Sequence, residues 1–211
     1  MSKHDSHRLG FEYEEVDYVR YSGSKSVAIM RSFLGYLSWP FVLPLVLMAK
    51  TSTYIFVTIS EFLAVFPFIF GIVIRYEFYR FSLQKCGKFV TIEFGTTFCY
   101  PDIEIGDFVT IGKYNSVHHC DFGSYVMTGE GCTFLSGSKN HYTQNRDVPM
   151  ALQGGQIKRI RIEDDVWIGV HCAIADNVGT GSIIAIGTVV TSPVPEYTLA
   201  IGNPARLLPR P

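Results

Sequence analysis

The chain has 211 residues and carries 18 Lys and Arg against 19 Asp and Glu, a net charge of −1. That length suits one domain with an appendage, and the balanced charge excludes the basic stripe of a nucleic-acid binder. Hydrophobic residues make up 47% of the chain, an excess concentrated in its first third.

Residues 1–26 are polar and mixed in charge, too long and too acidic for the n-region of a signal peptide. They are expected to form a cytoplasmic segment, with His4 and His7 as part of a solvated tail. Two apolar runs follow. Residues 32–49 hold no charge, residues 53–74 hold only Glu61, and Lys50, Thr51 and Ser52 separate them. Each run approaches the ~20 residues that cross a bilayer, and neither has the polar stripe of a surface helix. Residues 27–80 therefore read as a membrane hairpin of two helices, with a re-entrant form left open by Pro40 and Pro44 in the first run. Arg20, Lys25 and Arg31 precede the hairpin, and Arg75, Arg80, Lys85 and Lys88 follow it. The positive-inside rule puts both ends in the cytoplasm, which would hang the rest of the chain beneath a bacterial-type inner membrane. Glu61 would sit mid-membrane, where a carboxylate costs about 2.5–3.5 kcal/mol on insertion scales. It is expected to hide in an oligomer interface, with contact to a lipid-linked substrate as the other reading.

Residues 81–211 form the second domain. From Gly87 the chain falls into sixes, irregularly at first and strictly over residues 162–191. There the hexads begin Ile162, Ile168, Ile174, Thr180 and Ile186, with Val, Cys or Ile at every fifth position. A fixed period of six fits short strands that turn a corner and repeat, a parallel β-helix in which each coil buries its neighbour. The first residue of each hexad is expected to point inward. Cys132 and Cys172 fall at fifth positions and read as small core residues. The five cysteines, odd in number and without CxxC spacing, suggest a reducing compartment and no disulfide framework.

Residues 138–161 interrupt the repeat with a polar insert containing His141, Pro149, Gly154 and Gly155. One long loop on a rigid scaffold is a common way to build a site. After Thr191 the prolines of Ser192-Pro193-Val194-Pro195 end the repeat, and Arg206 and Arg210 add positive charge at the C-terminal end.

Val166-Trp167-Ile168-Gly169, the hexads after it, and Ile201-Gly202-Asn203-Pro204-Ala205-Arg206 resemble the hexapeptide-repeat acyltransferases. The nearest branch is that of the maltose, galactoside and xenobiotic acetyltransferases. The resemblance covers roughly residues 86–207 and says little about residues 1–80. It implies a left-handed parallel β-helix, a homotrimer with active sites between adjacent subunits, and acetyl-coenzyme A as donor. It also implies a catalytic base at His141, in the loop before the Trp-Ile-Gly hexad. A histidine suits that task because its ordinary pKa lies near neutrality. Coenzyme contacts are implied at Gly169, Val170, Ile186, Gly187 and Thr191. Ser192 stands where the family commonly has lysine, and Arg206 matches a basic residue near the coenzyme phosphates.

The expected function is membrane-anchored transfer of an acetyl group to a hydroxyl or amine of a sugar. The acceptor would be a free or lipid-linked saccharide in envelope polysaccharide or glycolipid synthesis. No metal is expected. A zinc enzyme resembling γ-carbonic anhydrases is the competing reading of His118, His119 and His171, though the adjacent pair does not match that ligand spacing. A non-catalytic membrane scaffold is the other alternative.

Overall fold

The computed structural model describes residues 25–138 and 141–210. The segment 1–24, with His4 and His7, lies outside the described residues. The chain divides into residues 1–33 and 34–211. The described part of the first unit is the beginning of a helix, α1 (Lys25–Ala49), which runs on through Pro40 and Pro44.

Among the described residues sixteen short strands follow from Lys85, and the first fifteen build a parallel β-helix with three faces. The first face stacks β1 (Lys85–Cys86), β4 (Glu104–Ile105), β7 (Cys120–Phe122) and β10 (Ile160–Ile162), and parallel bridges at Val178 and Val194 continue it. The second face stacks β2 (Thr91–Ile92), β5 (Thr110–Ile111), β8 (Met127–Thr128), β11 (Trp167–Ile168), β13 (Ile183–Ile184) and β15 (Thr198–Ile201). The third stacks β3 (Thr97–Phe98), β6 (Ser116–Val117), β9 (Thr133–Phe134), β12 (Ala173–Ile174) and β14 (Val189–Val190). The last strand, β16 (Arg206–Pro209), returns antiparallel on β15.

The core follows from the register. Ile92, Phe98, Ile105, Ile111, Val117, Phe134, Ile162, Ile168, Ile174, Ile184 and Val190 are all buried and stack on their equivalents one coil away. Six residues carry the chain from the first face to the second and again to the third. The return from third face to first varies: Phe98 to Ile105, Val117 to Phe122, Ile174 to Val178, Val190 to Val194. The whole insert also sits at this return corner. The short return after Ile174 shifts the last hexads by two residues. Ile184, not Ile186, points inward, and Ile186 is 70% exposed at a corner. Cys132 and Cys172 are buried as expected.

The second apolar run is two helices, not one: α2 (Thr53–Ala64) and α3 (Phe68–Ser82). Ser52 caps α2, accepting a hydrogen bond from the Tyr54 amide at 3.2 Å. Pro67 lacks the N–H that would continue α2, and the chain restarts there as α3. The two helices close the open end of the solenoid. Phe56, Leu63, Ile74, Phe78 and Tyr79 join the buried core with Val90, Ile92 and Phe98. Ser60 Oγ accepts from the Phe98 amide at 2.9 Å, and the Ala64 carbonyl accepts from the Gly95 amide at 2.8 Å. A β-helix end exposes unpaired backbone groups and apolar side chains. That end is the second core for which the sequence reading made no provision.

Residues Ile29–Ala49 are long and apolar enough to cross a membrane by length and composition. Glu61 is exposed on α2.

Candidate active site

Two corners of the solenoid carry the candidate residues. At the corner between second and third faces, Gly169 and Val170 of one coil stack under Ile186 and Gly187 of the next. The Gly169 amide donates to the Ile184 carbonyl at 2.8 Å, and the Gly187 amide donates to the Val170 carbonyl at 2.9 Å. The coils approach so closely here that a Cβ on Gly169 would lie 2.7 Å from the Ile186 amide nitrogen. Gly187 has open space around it but a φ of +68°, a backbone shape that side chains disfavour. The column continues upward. The Val189 amide donates to the Gly202 carbonyl at 3.0 Å, and Ile201 to Arg206 line a depression of about 430 Å³. Arg206 is exposed at its rim.

Beneath these corner residues runs a ladder of buried side chains, each reaching the next coil. Thr96 Oγ1 donates to the Gly112 carbonyl at 2.6 Å and Asn115 Nδ2 to the Gly129 carbonyl at 3.0 Å. Cys132 Sγ donates to the Gly169 carbonyl and Cys172 Sγ to the Ala185 carbonyl, both at 3.1 Å. The ladder ties the backbone of this corner coil to coil. A fixed backbone edge is what an extended ligand arm needs in order to bind without first ordering its site.

The return corner, between third and first faces, carries the rest. Thr191 and Ser192 are exposed there. The insert departs after β9 and comes back at β10, and His141 is exposed on it. The Tyr142 amide donates to the Gly154 carbonyl at 2.9 Å, and Gln153 Nε2 donates to the carbonyls of Asn145 and Val148 at 2.7 Å. Within the insert Tyr142, Met150, Leu152 and Ile157 are exposed.

Apart from His119, the residues that clamp the base of the insert do not stand out in the sequence. The Lys158 amide donates to the Ser136 carbonyl and the Ile160 amide to the His119 carbonyl, both at 2.9 Å. Arg159 Nη1 donates to Asp121 Oδ1 at 2.9 Å, and its guanidinium also pairs with the Asp102 carboxylate. Lys158 pairs with Asp176. The His119 ring stacks on Tyr100 with centroids 3.6 Å apart, and its Nδ1 lies 3.5 Å from Asp102 Oδ1. The available signal was a basic pair ending the insert, with aspartates at or beside the return corners of other coils. It becomes readable only once the coil register is known. His118 is half-buried beside this clamp, and burial, then the charge of His119, pushes its pKa below the ordinary 6.5.

The structure thus gathers Gly169, Val170, Ile186, Gly187 and Arg206 at one corner, and sets Thr191, Ser192 and the base of the His141 insert at the next. The third face lies between the two groups. His171 stands at the first of these corners with a φ of +56°, apart from His118 and His119 at the second. Among the described residues no group of three or more His, Cys, Asp or Glu is placed to hold a metal.

No family model matches the chain. A Saccharomyces cerevisiae protein named "Putative acetyltransferase YJL218W" is 32% identical over 114 residues, covering 43% of this chain and 58% of the relative. The chain spans only 36% and 58% of the lengths of two curated relatives it matches. A maltose O-acetyltransferase from Clostridium difficile 630 superposes with a TM-score of 0.61 at 20% identity, over 78% of this chain and 87% of that one. The hexapeptide-repeat acetyltransferase VCA0836 from Vibrio cholerae O1 biovar eltor, solved with acetyl-coenzyme A, superposes with a TM-score of 0.53 at 23% identity. That match covers 99% of this chain and 97% of the other. The chain is a parallel β-helix protein with apolar N-terminal helices, with relatives named as acetyltransferases and the fold of the hexapeptide-repeat acetyltransferases.

Proposed function

We propose that the chain is an acetyl-coenzyme A-dependent acetyltransferase that acts as a homotrimer on a sugar hydroxyl or amine. Its place is the cytoplasmic face of the inner membrane, in envelope polysaccharide or glycolipid synthesis. The observation that carries this reading is the pairing of two things on one scaffold. One is a stiff glycine-lined corner ending at Arg206. The other is a single insert that presents His141 one face away.

In a single chain the third face separates the two. Bringing the insert of one copy to the glycine-lined corner of its neighbour completes the set, and three copies close the ring. The exposed Met150, Leu152 and Ile157 support this assembly, since a second copy would cover them. The pantetheine arm would run along Gly169, Val170, Ile186 and Gly187, with Thr191 and Ser192 near it, and Arg206 would meet the phosphates. His141 would take the proton of the acceptor hydroxyl or amine as that atom attacks the thioester carbonyl carbon. The C–S bond then breaks, and the proton passes from His141 to the departing sulfur. The likeness to maltose O-acetyltransferase supports a sugar acceptor.

Purified protein given acetyl-coenzyme A and candidate saccharides should release free thiol. His141→Ala should lose about 10²- to 10⁴-fold, the usual contribution of a general base. Unchanged turnover in that variant removes His141 from the mechanism. No binding of acetyl-coenzyme A by calorimetry overturns the whole reading in favour of a scaffold.

A further inference from the structure

The two-helix hairpin expected of residues 27–80 needs a second run free to cross a bilayer, and the second run is not free. At 1.5 Å per residue, the twelve residues of α2 reach about 18 Å, short of the ~30 Å hydrocarbon layer. The buried stretch of α3 docks on the first coil: Arg75, Phe78 and Tyr79 are 0% exposed, and Tyr79 meets Phe98 with ring centroids 4.5 Å apart. Neither helix can serve as the returning span.

Residues 34–49 of α1 form a further layer on this cap. Gly35, Ser38, Val42, Val46 and Ala49 are buried and recur at helical spacing, so one stripe faces protein. Trp39 Nε1 donates to Glu77 Oε2 at 3.1 Å, and a Cβ on Gly35 would lie 2.7 Å from Glu77 Oε1. The opposite stripe is apolar and open to the outside. Tyr36 and Leu37 are each 65% exposed, Leu47 is 69% exposed, and Leu43 and Met48 are also uncovered. Nothing charged interrupts it between Ser32 and Ala49.

A helix attached to protein along one side cannot be surrounded by lipid, as a lone span is. An apolar outer face on such a helix instead suits a bilayer met side-on. The cations nearby fit the headgroups of that bilayer. Lys50 follows α1, Arg80 lies in the last turn of α3 and pairs with Glu77 at 3.6 Å, and Lys85 and Lys88 lie on the first coil, all four cations exposed. Tyr36 and Tyr54, the latter 82% exposed, are the residue type that gathers at a membrane interface.

We propose that residues 34–49 lie in the plane of one lipid leaflet rich in anionic headgroups, holding the capped end of the β-helix against the membrane, and that the chain from α1 to the first coil does not cross the bilayer. This deepens the proposed membrane attachment and rests on it. It replaces anchoring by a hairpin with seating on a surface.

The test uses the full chain in two arms. In the first, the protein is floated with vesicles of phosphatidylcholine alone or with 30 mol%, roughly, of phosphatidylglycerol. Flotation should favour the anionic vesicles at least about threefold, and Leu43→Glu/Leu47→Glu should abolish it while the β-helix still unfolds at its usual temperature. No flotation overturns both attachment and seating, and if Leu43→Glu/Leu47→Glu then lowers the oligomeric state without detergent, a second copy covers α1 instead. In the second arm, Thr51→Cys and Lys88→Cys are made separately after Cys86 and Cys99 are changed to Ser. Each is exposed to a membrane-impermeant maleimide in sealed inverted vesicles. Labelling of both from the same side is expected. Labelling of Lys88→Cys alone places the turn across the bilayer and overturns the seating, while attachment stands.

Discussion

Arg75 Nε donates to the carbonyl oxygen of Ile92 at 2.9 Å, from inside α3 to the first coil of the β-helix. The same guanidinium donates through Nη1 to the carbonyls of Leu63 at 3.1 Å and Phe66 at 2.8 Å. One buried cation therefore closes three backbone acceptors: the end of α2, the turn into α3, and the edge of the solenoid. The contact explains why an arginine can stand in so apolar a run. It does not face lipid: two of its partners are carbonyls where α2 ends before Pro67, and the third is that of Ile92 on the first coil.

Arg75→Met should consequently leave the Phe66 and Ile92 carbonyls without their partner in a dry setting, while the Leu63 carbonyl keeps the Phe66 amide at 3.3 Å. Each unsatisfied group costs about 1–3 kcal/mol, so a loss of at least about 2 kcal/mol is expected. Arg75→Lys, which keeps the charge but not the fork of donors, should lose less. Urea unfolding followed by far-ultraviolet circular dichroism checks both. A Met variant as stable as the parent would show that the cap does not depend on this contact.

The glycine-lined corner makes a paired prediction. In Gly169→Ala the new methyl meets the Ile186 backbone at 2.7 Å, so two coils must part. Acetyl-coenzyme A affinity should fall at least about tenfold if the corner holds the ligand, a loss of about 1.4 kcal/mol. In Gly187→Ala the methyl meets no atom within 4 Å, and the cost is confined to the left-handed backbone, about 1–2 kcal/mol. Calorimetric titration beside thermal unfolding reads both: Gly169→Ala should weaken binding and lower the Tm together as the coils part, and Gly187→Ala, whose methyl enters the open space proposed for the pantetheine arm, should weaken binding with only the backbone cost in Tm.

Much of the solenoid was legible because its period is enforced physically. Every coil must place a buried residue on each face, and from Ile162 to Ile174 nothing disturbs the count. Legibility failed where a constraint was not periodic. The return corner is free to change length, so the shift that exposes Ile186 left no mark in the hexads. The break at Pro67 was hidden because α2 and α3 are both apolar, and composition alone cannot tell a face that meets lipid from one that meets Phe98. At the candidate site the interrupted repeat marked the insert, and the family resemblance pointed to His141 within it. The clamp of Arg159 on Asp102 and Asp121 was not, because its members are far apart in sequence.

That clamp predicts a local effect. Arg159 and Asp102 are part-exposed, so their ion pair should contribute under about 1 kcal/mol to global stability, and the buried Asp121 keeps the Glu104 amide at 2.9 Å as a partner when Arg159 is removed. Its effect should appear in the insert it secures. Arg159→Ala should leave the Tm within a few degrees of the parent and speed proteolytic cleavage within residues 138–158 several-fold. Global unfolding of the variant at ordinary temperature would show that the pairs support the coils themselves.

His118 gives the pH dependence. Burial, followed by the neighbouring charge of His119, holds its folded-state pKa below the ordinary 6.5. An unfolded chain takes up a proton near 6.5, while the folded chain resists it until lower pH. Above about 6.5 both states are neutral at this ring, and its full contribution to stability is present. As pH falls through 6.5 the unfolded state binds more protons than the folded state. Stability should therefore decline, and the loss should level off below the folded pKa. His118→Gln removes the titration while keeping a polar side chain of similar reach. Between pH 8 and pH 5 the parent should lose more Tm than the variant, with the difference opening near 6.5. Parallel curves would show that His118 titrates alike in both states.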